Sequence, residues 1–262
     1  MDILVCIKYA LDVTELKIDP SSKTPMLQGV PRKISDIDRN AVEEAVVLKE
    51  KHGGKVVMLT FGPKEATGGL KEALAIGADE AYLIEDPSNG LLDTRATSTA
   101  LATGIKKLGN FDLIICGEAT VDGFSSQVGP RLAERLGLPL LSYVKKVTVN
   151  GDEVVVERDL ETSYEVLKTK LPALISVTQE INTPRIPPLM AILKAKNKKS
   201  EIWKVEDLGL SSDELLKTGS SVQILEIQVL ESKRKGIIIQ EKPAAEAAEE
   251  LVNLLTKDKC LE

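Results

Sequence analysis

Two spacings of apolar positions alternate along the first 140 residues, and the alternation predicts the elements. Residues 2–8, "DILVCIK", form a short apolar run with a strand-favouring centre. At 39–51, "RNAVEEAVVLKEK", the spacing becomes helical: Ala41, Val42, Ala45 and Leu48 share one face, with Glu43 and Glu50 off it. Asp38 is a suitable N-cap and Gly53 a suitable stop. The continuous run "KVVMLTF" at 55–61 suits a strand covered on both faces. "KEATGGLKEALAIG" reads as a helix, weakened by Gly68 and Gly69; "EAYLIE" at 80–85 reads as a strand. A helix follows over 93–109, with Asp93 as its N-cap, and then the strand "FDLIICG". The loop "CGEATVDGFSSQVGP", Cys116 to Pro130, leads into the helix "SQVGPRLAERLG".

Strands alternating with helices in this way predict an α/β fold with a mostly parallel, doubly wound, Rossmann-like sheet built of right-handed crossovers. Ligands of such sheets bind beyond the carboxyl ends of the strands. Four loops belong to that edge: 9–13, 35–38, 61–64 and 117–124.

The pattern then changes. "YVKKVTVNGDEVVVERDL" alternates apolar and polar residues around Asn150-Gly151, which predicts an antiparallel hairpin with a type I′ turn. "PALISVTQ" is a further strand. Residues 1–181 therefore read as an α/β domain. At 182–200, Pro184, Pro187 and Pro188 disfavour regular structure, and Leu189 precedes a lysine run; this reads as an exposed partner-recognition loop. Residues 201–262 read as a C-terminal arm, with a β-like run at 222–231 and the amphipathic helix "AAEAAEELVNLLTK".

Composition narrows the chemistry. A net charge of -6 argues against nonspecific nucleic-acid binding, and 3% aromatic residues are too few for base-stacking platforms. No apolar window is long enough for a membrane span, and the start reads as a strand rather than a signal peptide. Cys6, Cys116 and Cys260 fit no disulfide or zinc spacing; Cys6 and Cys116 read as buried thiols, which suits a reducing cytoplasm. The one histidine, His52, closes a predicted helix, so no histidine triad or metal cluster is available. Redox or hydrolytic chemistry would have to come from a bound cofactor.

The 116–130 loop is the main candidate site. It contains no lysine and fits neither common phosphate-loop pattern. Asp122-Gly123 predicts a tight turn with glycine at positive φ. Ser125, Ser126 and Gln127 fall at the next helix start, where free N–H groups and hydroxyls can hold a phosphate. An ordinary strand-to-helix turn with a serine cap has the same signature. "DTRATSTA" gives a second hydroxyl-rich helix start, with Thr94 and Thr97 on one face. Two such starts on one sheet suit a pyrophosphate; a capped helix with a threonine-lined packing face is the plainer alternative.

These stretches together resemble the electron-transfer flavoprotein beta subunit, up to about residue 210. "ILVCIKYALD", "AVEEAVVLKEK", "ALAIGADEA", "DLIICGEATVDGFSSQVGP", "VERDLETSYEVLKTKLPALISV" and "PRIPPLMAILKAKNKK" carry the resemblance, in that order. It implies a heterodimer with an alpha subunit that carries FAD. It also implies a second adenine nucleotide in this chain: structural AMP in conventional members, FAD in electron-bifurcating ones. In that second branch the FAD takes hydride from NADH. One electron then goes by way of the alpha-subunit FAD to a dehydrogenase or quinone oxidoreductase, and the other to ferredoxin or flavodoxin. The resemblance places the adenine end at Cys6, Ser35, Asp36, Ile37, Asp38 and Phe61. It places the phosphate end at Gly117 to Val128, chiefly Thr120, Asp122, Gly123, Ser126, Gln127 and Val128. Leu189 would dock the partner, flanked by Lys194, Lys196, Lys198 and Lys199. Asp122-Gly123, Val128-Gly129-Pro130 and the Asp93–Thr97 helix start resemble the bifurcating branch. Phe124-Ser125-Ser126 and Ser35-Asp36-Ile37 depart from it, and bulky Phe124 would crowd the ligand or stack on it.

Overall fold

The computed structural model describes residues 1–88, 92–160, 162–216, 221, 222, 225, 227, 229 and 236–261. The chain runs β1 (Ile3–Cys6), four short strands β2 (Tyr9–Leu11), β3 (Lys17–Ile18), β4 (Pro25–Met26) and β5 (Arg32–Ile34), then α1 (Asp36–His52) and β6 (Val56–Gly62). It continues through α2 (Thr67–Ile76), β7 (Glu80–Glu85), α3 (Thr94–Leu108), β8 (Leu113–Gly117) and α4 (Val128–Leu136). Next come β9 (Leu140–Asn150), β10 (Glu153–Leu160), β11 (Ser163–Lys170), β12 (Ala173–Val177), α5 (Leu189–Ala195), β13 (Lys199–Lys204) and the short α6 (Ser212–Glu214). A separate unit, 228–262, contains α7 (Ala244–Lys257). Among the described residues no helix is long and apolar enough to cross a membrane.

One nine-stranded sheet, ordered β11-β10-β9-β12-β8-β1-β6-β7-β13, organises the first unit. β10 pairs antiparallel with β9 and β11; the other neighbours are parallel. Successive strand residues point to opposite faces, so Ile3, Val5, Val56 and Met58 pack with α1 and α2, while Leu4, Cys6, Val57 and Leu59 pack with α3 and α4. The sheet is therefore wound on both sides, as the periodicity predicts. α1 carries the chain from β1 to its neighbour β6, and α3 carries it from β7 to β8 on the other side of β1. The strand order thus reverses between β1 and β8, which places a ligand crevice at their carboxyl ends.

Several expectations need correction. Ser35, not Asp38, stands at the N-cap of α1, and Asp38 lies inside the first turn. Ser125 and Ser126 precede α4, which begins at Val128. The hairpin turn is Gly151-Asp152, because Asn150 still pairs with Glu153. Only Gly151 of those two has positive φ (62°), and a type I′ turn requires it at both. Two strands of the nine-stranded sheet escaped the sequence pattern, as did the short strands β2 to β5 outside it. β11 is exposed along most of its length, and β13 buries only Trp203. The lysine run is not uniformly solvated: Lys198 Nζ donates to the carbonyls of Leu74 (2.9 Å) and Ala78 (2.6 Å), closing the end of α2. The β-like run at 222–231 lies mostly outside the described residues.

Candidate functional site at the carboxyl edge of the sheet

Asp38 joins three segments at the crevice. Its Oδ2 accepts the Lys8 N–H at 2.8 Å and its Oδ1 accepts the Gly117 N–H at 3.1 Å. The carboxylate therefore ties the end of β1 to the end of β8 through the first turn of α1. Ser35 adds two bonds: its N–H donates to the Lys8 carbonyl (3.0 Å), and its Oγ accepts the Val121 N–H (3.3 Å). A Cβ on Gly117 would lie 2.4 Å from Asp38 Oδ1 and 3.1 Å from Ile37 Cγ2, so only glycine lets β8 close on α1 here.

Burial pushes the Asp38 carboxyl up to about 7, against the two N–H bonds and the nearby Lys8 charge, which pull it down; the Asp122 charge adds to the rise. The folded state thus holds this proton more tightly than the unfolded chain does. The associated stability is full below about pH 4 and is lost as pH rises toward 7, on the order of 4 kcal/mol. Urea unfolding across pH 4 to 8 checks this: Asp38→Asn is expected to flatten the pH slope by up to one proton. Parallel curves for the two proteins would contradict it.

The loop after β8 carries the expected donors in an unexpected conformation. Gly123 does not have positive φ; Phe124 (44°) and Ser126 (53°) do. Non-glycine residues in this region are costly, and such conformations gather at ligand-binding loops. The Gly123 and Phe124 N–H groups both donate to the Thr120 carbonyl. The N–H groups of Ser125, Ser126 and Gln127 meet no acceptor among the described residues, and they lead into the positive end of α4. Phe124 is 70% exposed, so its ring does not fill the loop.

The second helix start lies beside the first. Thr94 Oγ1 donates to Gln127 Oε1 at 3.4 Å, and Arg131 Nε donates to the same oxygen at 3.0 Å. Asp93 caps α3 through the Arg95 and Ala96 N–H groups and also accepts the Ser221 N–H. Burial raises the Asp93 carboxyl, but those N–H bonds outweigh it and hold the group below its ordinary value. Thr97 donates its hydroxyl to the Asp93 carbonyl (2.9 Å).

The remaining expected positions divide. Cys6 and Cys116 stand opposite each other in register and are buried, with Phe61 in the same cluster. A hydrogen bond with Cys116, reinforced by burial, pushes the Cys6 thiol well up, so it is a poor nucleophile. Ile37 is buried against this edge, whereas Asp36 turns to Lys33 at 3.2 Å. Leu189, Lys194 and Lys196 lie away from the crevice sequence, on or just after α5. There Leu189 is 71% exposed, beside exposed Ile186, Met190 and Leu193.

One site residue escaped the sequence reading. Lys8 Nζ sits 2.8 Å from Asp122 Oδ1, so the loop without a lysine receives one from the segment just after β1. The available signal was a lysine directly after an apolar strand that ends at the ligand edge.

A doubly wound α/β sheet with glycine-shaped closure, free N–H groups and a cation at its switch point gives this edge the chemistry to receive an anionic ligand. Residues 26–208 match the electron transfer flavoprotein domain. Among similar proteins is the electron transfer flavoprotein subunit beta of Thermoanaerobacterium thermosaccharolyticum, 43% identical over 91% of this chain and 92% of that protein. The protein of that name from Clostridium acetobutylicum is 40% identical over 98% and 99%. The caffeyl-CoA reductase-Etf complex subunit CarD of Acetobacterium woodii is 39% identical over 97% and 98%. The chain belongs to the electron transfer flavoprotein family, on its beta-subunit side.

Proposed function

We propose that this chain is the beta subunit of a heterodimeric electron-transfer flavoprotein and that its carboxyl-edge crevice holds FAD. When bound there, FAD would supply hydride acceptance from NADH and division of the electrons between the alpha-subunit FAD and a low-potential acceptor such as ferredoxin or flavodoxin. One observation carries the choice of a dinucleotide: Thr94 and Gln127 bring the starts of α3 and α4 together, so two helix N-termini serve one crevice. The donor set fits an anionic ligand: unpaired N–H groups at 125–127, the serine hydroxyls and the Lys8 ammonium. Ser35, Ile37, Asp38 and Gly117 shape the closure, and buried Cys6 and Phe61 form its floor. The chain's own contribution is to bind, orient and neutralise the group.

The electron partner, a dehydrogenase or quinone oxidoreductase, docks on the exposed apolar surface around Leu189, with Lys194 and Lys196 toward acidic side chains. The α7 helix, with Leu251 and Val252 exposed, docks on the alpha subunit, and the complex works in the cytoplasm. Leu189→Ala is expected to weaken electron exchange with the partner about tenfold, the size of a modest interface anchor. The unfolding midpoint should not move, because the side chain is 71% exposed. Steady-state kinetics against partner concentration, beside urea unfolding, checks both halves.

Structural AMP is the second reading, and one observation favours it. Asp93 and Thr97 spend their polar atoms on their own helix and on Ser221, which leaves α3 less to offer a second phosphate. The two readings separate on an assay of the purified alpha-beta pair with NADH. FAD in this site predicts NADH oxidation that needs a low-potential and a high-potential acceptor together. No NADH oxidation with any acceptor mixture would reject it in favour of AMP.

A further inference from the structure

We propose that Lys8 is the phosphate-binding cation of the crevice and that Asp122 tunes its affinity by holding the same ammonium. This rests on the nucleotide reading of the site and adds a residue and a control element to it.

The placement of Lys8 is fixed at its base and open at its tip. Its N–H is held by Asp38 Oδ2 at 2.8 Å and its carbonyl by the Ser35 N–H at 3.0 Å. Its side chain is 47% exposed, and Nζ lies 2.8 Å from Asp122 Oδ1. A Cβ on Gly123 would stand 4.0 Å from that Nζ, so the ammonium lies along the loop backbone itself. The segment 117–127 has no basic residue of its own.

The neighbouring cations are already engaged, Arg131 by the last residue of the loop and the others away from it. Arg131 binds Gln127, Arg95 binds Ser221, Lys33 bridges Asp12 and Asp36, and Arg39 pairs with Glu72. Among the described residues, Lys8 is the cation that pairs with the Asp122-Gly123 turn of the loop.

Asp122 gives the pair its second function. A half-exposed ion pair is weak, so the ammonium is held without being sequestered. A phosphate group brings more charge and several acceptor oxygens to the same donor, and charge-assisted bonds of that kind are stronger. Asp122 also sets a negative charge beside the incoming anion. The carboxylate therefore opposes anions that bind loosely, while Lys8 and the free N–H groups at 125–127 together favour one that engages them all.

The test is isothermal titration of the alpha-beta pair, stripped of nucleotide, with AMP, ADP and adenosine. Lys8→Gln should weaken AMP and ADP by on the order of 10- to 100-fold and leave adenosine unchanged. Lys8→Arg should recover most of the loss, and circular dichroism should show each variant folded. Asp122→Asn should strengthen AMP binding severalfold in wild type, with most of that gain absent in the Lys8→Gln background. AMP binding to Lys8→Gln within twofold of wild type would overturn the role of Lys8 alone. An equal gain from Asp122→Asn in both backgrounds would overturn the shared ammonium. Failure of the wild-type pair to bind any of the three would defeat the nucleotide reading beneath the proposal.

Discussion

Gly117→Ala is expected to destabilise the fold by about 2–6 kcal/mol and to abolish nucleotide retention. The new methyl would lie 2.4 Å from Asp38 Oδ1, 3.1 Å from Ile37 Cγ2 and 3.3 Å from the Ala119 carbonyl. The nearest atom belongs to a short, fully buried side chain that the Lys8 and Gly117 N–H groups hold from both sides. It cannot swing away without leaving both donors unpaired. Overpacking of this kind costs about 1–3 kcal/mol, and losing charged hydrogen bonds adds about as much. Gly123→Ala is the matched control. Its methyl would meet Thr120 Oγ1 at an ordinary 3.6 Å, and its φ is not positive, so the change should stay within about 0.5 kcal/mol. Urea unfolding of the two variants compares them directly. Equal stability would mean that the closure at Asp38 does not organise this edge.

Arg185→Ala is the second large effect, and it acts at the other end of α1. Arg185 Nε and Nη2 bond Glu43 at 2.9–3.0 Å, Nη1 and Nη2 bond Glu50 at 2.6 and 3.1 Å, and the Arg185 N–H also meets Glu43. Hydrogen bonds to Glu50 and Glu43 hold the guanidinium proton more tightly still. Beside this clamp, Asn182 bonds the Asn40 carbonyl and Glu44. The base of the 182–200 segment is thereby fixed to the helix whose first turn shapes the crevice. Removing the guanidinium leaves the Glu43 carboxylate, whose side chain is only 7% exposed, with the backbone N–H of residue 185 but without its cation. The penalty for breaking a fully buried pair is about 3–5 kcal/mol; with Arg185 itself a third exposed, about 2–3 is expected. Lysine should restore little, because it has no planar fork. Limited proteolysis should show faster cleavage within 182–200. Wild-type resistance and stability in Arg185→Ala would remove the clamp from the account.

What could be read from the sequence was what is local. β7 falls on "EAYLIE" and α3 follows its Asp93 cap, because capping and apolar spacing act over a few residues. The start of α3 at the crevice was legible for the same reason, whereas α4 begins at Val128, past the serines and without a side-chain cap. The links between them were not: Lys8 and Asp122 are 114 residues apart, and Arg185 and Glu43 are 142. Glu43 reads as a solvent-facing position until its arginine is placed over it. β11 and β13 carry too little buried surface to show a strand period; their stability comes from pairing with β10 and β7. At the loop, propensity pointed to Gly123 as the strained residue. The backbone instead strains Phe124 and Ser126, which the surrounding structure imposes.

A cofactor count on the intact complex tests the central claim most directly. The chain would be produced with its alpha partner, the purified pair denatured, and FAD and AMP quantified by chromatography and mass. Two FAD per pair and no AMP is the predicted result, with the crevice at Asp38, Gly117 and Lys8 holding a flavin nucleotide. One FAD and one AMP would contradict it, leaving the same crevice with a structural nucleotide and the chain with no hydride chemistry of its own.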